Sequence, residues 1–232
     1  MISDSKVISA DPAANLKTVL AHIAAAKDAA IAAAPEVRLV AVSKGHKEDR
    51  ILPVLAAGHR LFGENRVQEA KAKWAPLRAQ FPDIELHLIG PLQTNKVRDA
   101  LGLFDCIQSL DRPRLAEALK AEMEKGGRRI PLFVEVNTGE EAQKAGIVPK
   151  DTVSFAAQCR EQMGLPVIGL MCIPPLGEEP APHFALLREL ARECGLASLS
   201  MGMSDDYETA IRFGATHVRV GTAIFGEREK AI

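Results

Sequence analysis

The chain has 232 residues, of which 47% are apolar and 25% are charged, as is typical of a globular protein with a large core. Its 29 Lys and Arg residues balance 30 Asp and Glu residues, so charge gives no reason to expect a nucleic acid or an anionic membrane as a partner. The longest apolar stretch is interrupted by His22, Lys27 and Asp28, which argues against a transmembrane helix.

Apolar runs and helix-forming segments alternate along the chain. The first helix is predicted to begin after Asp11, an N-cap residue followed by proline, and to end before Pro35. Apolar, β-branched runs predict strands at 37–43, 60–63, 84–89, 103–107, 131–136, 165–171, 199–201 and 216–220. Helices are predicted at 48–57, 67–79, 95–101, 114–125, 151–163 and 182–194, and a further helix begins at the N-cap candidate Ser204.

This alternation predicts the fold class. Strand and helix repeat in units of about 25–30 residues, as in βα units, and no linker interrupts them. The pattern is typical of α/β proteins and favours a single (β/α)8 TIM-type barrel over an open doubly wound sheet, since no Gly-x-Gly-x-x-Gly follows a strand. We therefore predict one domain over residues 1–232, with residues 1–34 as a helical segment packed on the barrel.

The cysteines and the first residues bear on location. Cys106, Cys159, Cys172 and Cys194 are dispersed and form no Cys-x-x-Cys pair, which favours reduced thiols and argues against a zinc site or any other metal. No secretory signal pattern is visible, so a cytoplasmic protein is expected. The regular alternation of apolar and charged helix faces is compatible with a monomer.

Two strand-to-helix junctions near residues 200–226 predict a phosphate site. Each carries a small residue and a hydroxyl, with Ser204 at the first and Gly221-Thr222 at the second. Such junctions point free backbone N–H groups at an anion, and barrels often build a phosphate site after strands 7 and 8. Two ordinary capped helices are the alternative interpretation.

A lysine and an arginine lie at the ends of the first and last strands. Lys44 shares its side of the strand with Val40 and Val42, where desolvation favours the neutral, nucleophilic amine, unless the side chain extends to water. An amine, a phosphate site and a ring-nitrogen partner are what pyridoxal 5′-phosphate (PLP) requires. Arg219 cannot accept the ring-nitrogen proton as an aspartate does, so the electron sink is weaker and the chemistry narrower.

Other polar and soft side chains are weaker candidates. Asn65 and His87 follow or lie on strands and could face the ligand, although His87 could equally be a hydrogen-bonded core histidine. Met171, Met201 and Met203 could line a cofactor face or fill the core.

A further polar cluster follows the third strand. It consists of Gln93, Asn95, Lys96 and Arg98. The cluster could contact an anion, and the alternative interpretation is a solvated helix face.

Several segments resemble the YggS/PROSC family of pyridoxal phosphate homeostasis proteins. The most specific are Leu-Ser-Met-Gly-Met-Ser-Asp-Asp-Tyr-Glu at 199–208 and Val-Arg-Val-Gly-Thr-Ala-Ile-Phe-Gly at 218–226. Further matches lie at 39–44, 63–69, 87–96, 134–137, 144–146 and 169–171. The family is similar to the barrel domain of alanine racemase and to the fold-type III PLP enzymes.

The resemblance implies a role for each candidate residue. Lys44 would form the internal aldimine and Arg219 would face the pyridine nitrogen. The phosphate would be held by Ser204, Gly221 and Thr222, and the pocket would include Asn65, His87, Met201 and Met203. The chain departs from the family pattern at Leu86, Leu88 and Gln108, which places the packing around strands 3 and 4 in question.

The resemblance also implies a function in intracellular PLP (vitamin B6) homeostasis, without established catalytic turnover and with PLP-dependent apo-enzymes as candidate recipients. A weak PLP-dependent amino-acid racemase or related enzyme is the alternative, and a sugar-phosphate isomerase or lyase using Lys44 is another. Racemases of this fold take a second catalytic residue, a tyrosine, from a separate β domain of the partner subunit. The single tyrosine here, Tyr207, follows the phosphate loop, so no second base is evident.

Overall fold

A ring of parallel strands forms the centre of the computed structural model, which describes residues 9–30, 36–126 and 128–227. The strands are β1 Arg38–Val42, β2 Leu61–Glu64, β3 Glu85–Leu88, β4 Cys106–Leu110, β5 Leu132–Val136, β6 Val167–Cys172, β7 Ser198–Ser200 and β8 His217–Val220. The helices are α1 Pro12–Asp28, α2 Glu48–Ala56, α3 Val67–Gln80, α4 Val97–Leu103, α5 Pro113–Gly126, α6 Pro149–Ala157, α7 Pro180–Glu193, α8 Tyr207–Arg212 and α9 Thr222–Phe225.

The ring closes by pairing the first strand with the last. Every strand is parallel to its neighbours in chain order, and β1 pairs with both β2 and β8. Because helices connect the strands around the outside, the molecule is a TIM barrel, and the predicted fold class is confirmed. All strands end on the same face, so the residues that follow them are brought together.

Apolar side chains cover both surfaces of the barrel. Outward-facing residues such as Leu39 and Ala41 belong to the main core cluster between the strands and the helices. Inside the bore, a smaller cluster of Cys106, Phe133 and Met171 lies among buried polar side chains, as expected from the alternation of side chains along a strand.

Helix α1 packs mainly against the last two helices of the chain. The Asp11 side chain caps it by accepting from the Ala13 N–H at 2.9 Å, as predicted. The helix packs on α2, α8 and α9, and the Asn15 amide donates to the Ile224 carbonyl at 2.9 Å. Of the predicted N-terminal segment, residues 1–8 and 31–34 lie outside the described ranges. In the part of the chain that the structure describes, no helix is both long and apolar enough to cross a bilayer.

Two predicted boundaries are wrong. The fourth strand begins at Cys106 rather than at residue 103, because α4 continues to Leu103 and the Phe104 N–H still bonds to the Ala100 carbonyl at 2.8 Å. Helix α8 begins at Tyr207 with Asp206 as its N-cap residue, so Ser204 is not the cap. Ser204 lies instead in the turn before the helix.

Candidate functional site

The ends of β1, β7 and β8 bring the main candidates to one side of the barrel mouth. Val40 pairs with Arg219 across the β1–β8 contact. A Cβ atom added to Gly221 would lie 3.2 Å from the Val42 carbonyl oxygen, so Gly221 packs directly on the end of β1. Lys44 lies two residues beyond Val42 and is half-buried. The predicted amine, arginine and phosphate-binding residues are therefore neighbours.

A hydroxyl joins the two phosphate-binding segments. Ser204 Oγ accepts from the backbone N–H groups of Gly221 and Ala223, both at 3.4 Å. The loop before Ser204 packs closely on α8, because Gly202 has a φ of +90° and an added Cβ there would lie 2.5 Å from the Ala210 Cβ. Thr222 is exposed at the start of α9. Two backbone N–H groups and the Ser204 hydroxyl thus meet at the mouth, with Thr222 between the two N–H groups in sequence, and this is a donor set suited to a phosphate.

Arg219 is buried in the bore and held by neutral acceptors. It is 4% exposed. Its Nη1 donates to Ser200 Oγ at 2.7 Å, and its Nη2 donates to the Cys172 carbonyl at 2.8 Å. Among the described residues, no carboxylate forms an ion pair with it within 4 Å. Burial lowers the pKa of Arg219, but a guanidinium remains charged in this setting.

A hydrogen-bonded chain continues from Ser200 across the bore. The Ser200 hydroxyl donates to Gln108 Oε1 at 2.6 Å, and Gln108 Nε2 lies 2.9 Å from His87 Nδ1. Because the amide nitrogen can only donate, His87 Nδ1 is the acceptor and the ring proton is on Nε2. That proton faces Glu85 Oε1 at 2.8 Å. Every hydrogen bond in this series is therefore donated in the same direction, from Arg219 toward Glu85.

This His87 tautomer is consistent with the ionisation states of the neighbouring Glu85 and His217. The hydrogen bond from His87, opposed by burial and assisted by Arg38, lowers the pKa of Glu85 to about 2. Burial lowers the pKa of His217 to about 3, so this second histidine is neutral. The His87 and His217 rings lie 6.0 Å apart in the lower part of the bore.

A second hydrogen-bond network, centred on Glu64, holds the backbone at Ser43, the residue before Lys44. Glu64 is fully buried, and its Oε1 accepts from Ser43 Oγ at 2.7 Å, from Lys73 Nζ at 2.9 Å and from Trp74 Nε1 at 3.0 Å. Lys73 also donates to the Ser43 carbonyl at 2.8 Å. These bonds join the end of β1 to β2 and α3 and so fix the chain at the residue preceding Lys44.

Glu135 is a carboxyl group in the bore whose pKa is raised. It lies on β5 next to Met171 of β6. Burial, together with the charge of Asp111 and against that of Arg219, raises its pKa to about 7. It is therefore substantially protonated at neutral pH, and its carboxyl can both donate and accept a hydrogen bond.

The remaining candidates are distributed around the mouth. Asn65 is half-buried after β2 and packs under Gly90 of the next loop. Met203 is 36% exposed, whereas Met201 is fully buried in the main core cluster. His87 lies deep in the bore and reaches Arg219 only through Gln108 and Ser200. The pocket roles of these residues stay predictions.

Sequence reasoning missed the residues that hold the candidates in place. Gln108 and Ser200 are buried polar residues of β4 and β7, and Glu64 ends β2 with its side chain fully buried. Their polarity at buried strand positions was the available signal, since buried polar groups need partners. In the described ranges, no group of three or more His, Cys, Asp or Glu side chains is arranged to hold a metal ion.

Comparisons with known proteins agree on one family. The family model for the alanine racemase N-terminal domain matches residues 14–229. A pyridoxal phosphate homeostasis protein of Pseudomonas aeruginosa is 42% identical over 94% of this chain and 96% of its own length. The structure of PipY from Synechococcus elongatus with PLP bound is 38% identical over 93% of this chain and all of that one, with a TM-score of 0.79. An alanine racemase of Clostridium difficile, 14% identical with a TM-score of 0.71, shares the fold over 94% of this chain and 57% of its own.

Proposed function

Since the chain belongs to the family of pyridoxal phosphate homeostasis proteins, within the larger group that contains the alanine racemase N-terminal domain, we propose that it binds PLP at the barrel mouth and serves in PLP homeostasis. The observation that carries the proposal is the convergence of Lys44, Arg219 and the Ser204–Gly221 contact at the ends of three adjacent strands. The PLP-bound PipY structure supports it.

The donor set fits each part of PLP. The phosphate dianion suits the Ser204 and Thr222 hydroxyls and the backbone N–H groups around Gly221, next to the positive ends of two helices. The ring nitrogen suits Arg219, whose guanidinium uses two of its five N–H groups on Ser200 and Cys172. The aldehyde suits the amine of Lys44.

Bound PLP supplies a reactive aldehyde and an electron-withdrawing ring. Arg219 would leave the ring nitrogen unprotonated, since a guanidinium can donate a proton in a hydrogen bond but does not give it up. The Glu64 network holds the backbone before Lys44, so that the amine reaches the mouth from a fixed point. These residues bind and orient PLP while limiting the carbanion chemistry that it could perform.

The position of the single tyrosine supports a carrier over a racemase. Tyr207 is 1% exposed, and its hydroxyl lies 3.2 Å from His22 Nδ1 on α1. It is turned toward the outer helix layer and away from the mouth. A two-base racemase needs an acid or base on each face of the substrate, and this hydroxyl is not placed to serve as the second one.

The proposal is tested by comparing retention with turnover. The PLP-saturated protein is incubated with L-alanine, and the enantiomers are separated over many hours. We expect PLP to be retained on dialysis and the D-alanine formed to equal that from Lys44→Ala protein. Racemisation that requires Lys44 would contradict the carrier role. Transfer of PLP to a PLP-dependent apo-enzyme, measured by recovery of that enzyme's activity, tests delivery.

We further propose that the whole chain is one barrel unit, monomeric and cytoplasmic. The packing of α1 on α8 and α9 supports the single unit. Sedimentation velocity at several protein concentrations measures the oligomeric state, and a concentration-dependent dimer would contradict the monomer.

A further inference from the structure

A second cleft opens on the same face of the barrel, between the loops that follow β2 and β3. Its volume is about 500 Å³, a size suited to a small molecule. Three cations line it, namely Arg66, Lys96 and Arg112, and no carboxylate does. It shares no lining residue with the set of Lys44, Ser204, Arg219, Gly221 and Thr222.

Unlike three other clefts formed by the described residues, this cleft has no carboxylate in its lining. A cleft beside α4 and α5 includes Glu122. One beside α9 includes Asp49, and one beside α3 includes Glu69. The three lining cations of the β2–β3 cleft carry a formal charge of +3, which the ion pair between Arg112 and Asp111 reduces to +2. An anion is the ligand that this lining favours.

The walls of the cleft are fixed by packing. Arg112 Nη2 donates to the Leu92 carbonyl at 2.8 Å, and Nη1 pairs with Asp111. Leu92 is 1% exposed and anchors the loop after β3. A Cβ on Gly90 would lie 2.5 Å from the Asn65 carbonyl oxygen, so the two loops pack without a gap. A preformed wall reduces the entropy lost when a ligand binds.

The other two cations have spare donors. Within the described ranges, neither Arg66 nor Lys96 forms a side-chain hydrogen bond or an ion pair within 4 Å, and the carboxylate that senses Arg66 is Glu69, whose pKa it helps to lower. Arg66 is also the N-cap residue of α3, a helix of 14 residues, and no side chain caps that helix end. The unpaired N–H groups of its first turn add partial positive charge at the same place.

We propose that the β2–β3 cleft binds the phosphate group of a small phosphate ester, as a second anion site on the barrel. The phosphate dianion would be contacted by the guanidinium of Arg66 and the ammonium of Lys96, with Arg112 as the fixed third cation. The apolar surfaces of Pro91 and Leu92 would receive the carbon part of the ester. The cleft borders the proposed PLP site, because Asn65 lines the cleft and is also predicted for the PLP pocket, but it contains none of the residues proposed to hold the PLP phosphate, ring nitrogen or aldehyde.

The first test uses inorganic phosphate and protein that has been loaded with PLP and then dialysed free of unbound PLP, so that PLP remains only at Lys44. Isothermal titration at low ionic strength compares the parent protein with Arg66→Gln/Lys96→Gln. Arg98→Gln is the matched control, because Arg98 is an 81% exposed cation on the neighbouring α4 that does not line the cleft. We expect one equivalent of phosphate to bind, a loss of at least tenfold in affinity in the double variant, and a change of less than twofold in the control.

No phosphate binding, or an equal loss in Arg98→Gln, would overturn the proposal. Phenyl phosphate then tests the ester: binding at least as tight as that of phosphate supports it, and exclusion of phenyl phosphate refutes it. PLP loading is verified separately by mass spectrometry of the borohydride-reduced protein. If the protein does not load, the titration is made on the unloaded protein, so failure of the proposed function is distinguished from failure of the second site.

Discussion

Replacing Gln108 with leucine would interrupt the hydrogen-bonded chain that leads to Arg219. The Gln108 side chain is fully buried and joins His87 Nδ1 at 2.9 Å to Ser200 Oγ at 2.6 Å. Leucine has a similar volume but can neither donate nor accept. In Gln108→Leu, the imidazole nitrogen loses its donor and the serine hydroxyl loses its acceptor, both deep in the barrel.

The expected cost follows from the two groups left without a partner. Each buried, unsatisfied group costs about 1–3 kcal/mol, so Gln108→Leu should lower the free energy of unfolding by about 2–6 kcal/mol. That is a large part of the 5–15 kcal/mol typical of a folded protein. Since Ser200 also anchors Arg219, PLP should dissociate faster from the variant as well.

Urea unfolding of the PLP-free protein measures the cost through the fluorescence of Trp74, the single and fully buried tryptophan. Gln143→Leu is the control, because Gln143 is exposed and surface substitutions change stability by about 0.5 kcal/mol or less. A loss below 1 kcal/mol in Gln108→Leu, or a loss no larger than in the control, would refute the argument that this chain is a satisfied buried network.

Three further predictions concern the mouth and the bore. Ser204→Ala/Thr222→Ala should shorten PLP retention in dialysis by at least tenfold, since two hydroxyl donors are removed; unchanged retention contradicts the phosphate assignment. Asn15→Leu should lower the free energy of unfolding in urea by about 1–3 kcal/mol and speed PLP release, because the 2.9 Å bond to the Ile224 carbonyl is buried. Unchanged stability would argue that α1 does not stabilise the end of the barrel. Burial raises the pKa of Glu135 from 4.5 to about 7. Because the folded state then binds the proton more tightly than the unfolded state, the free energy of unfolding of the PLP-free protein should fall by up to about 3 kcal/mol as the pH rises between these two pKa values. Glu135→Gln should lack this loss.

The architecture could be predicted because it depends on local patterns. The apolar run before Lys44 and the Asp11-Pro12 helix start are confirmed by β1 and α1. The start of β4 was misplaced because Leu103 and Phe104 are apolar and resemble the beginning of a strand, while α4 extends to Leu103 and the chain turns before Cys106. Periodicity cannot separate these cases over so short an apolar run.

The supporting networks depend on contacts distant in sequence. Gln108 and Ser200 are 92 positions apart and meet across the bore. Ser43 follows β1 and Glu64 ends the adjacent β2, and their bonds to Lys73 require the packing of α3 on the barrel. The residues at strand ends were found because every strand of a parallel barrel ends on one face, whereas pairings inside the bore require the register of all strands.

The central claim is that Lys44 binds PLP. The near-ultraviolet and visible spectrum of the PLP-saturated protein is recorded before and after borohydride, and the reduced protein is digested and its peptides are weighed. We predict a band that disappears on reduction and a pyridoxyl group on Lys44, absent in Lys44→Ala and unchanged in Lys47→Ala. A colourless protein that gains no band with added PLP, or a pyridoxyl group on another lysine with Lys44 unmodified, would contradict the account.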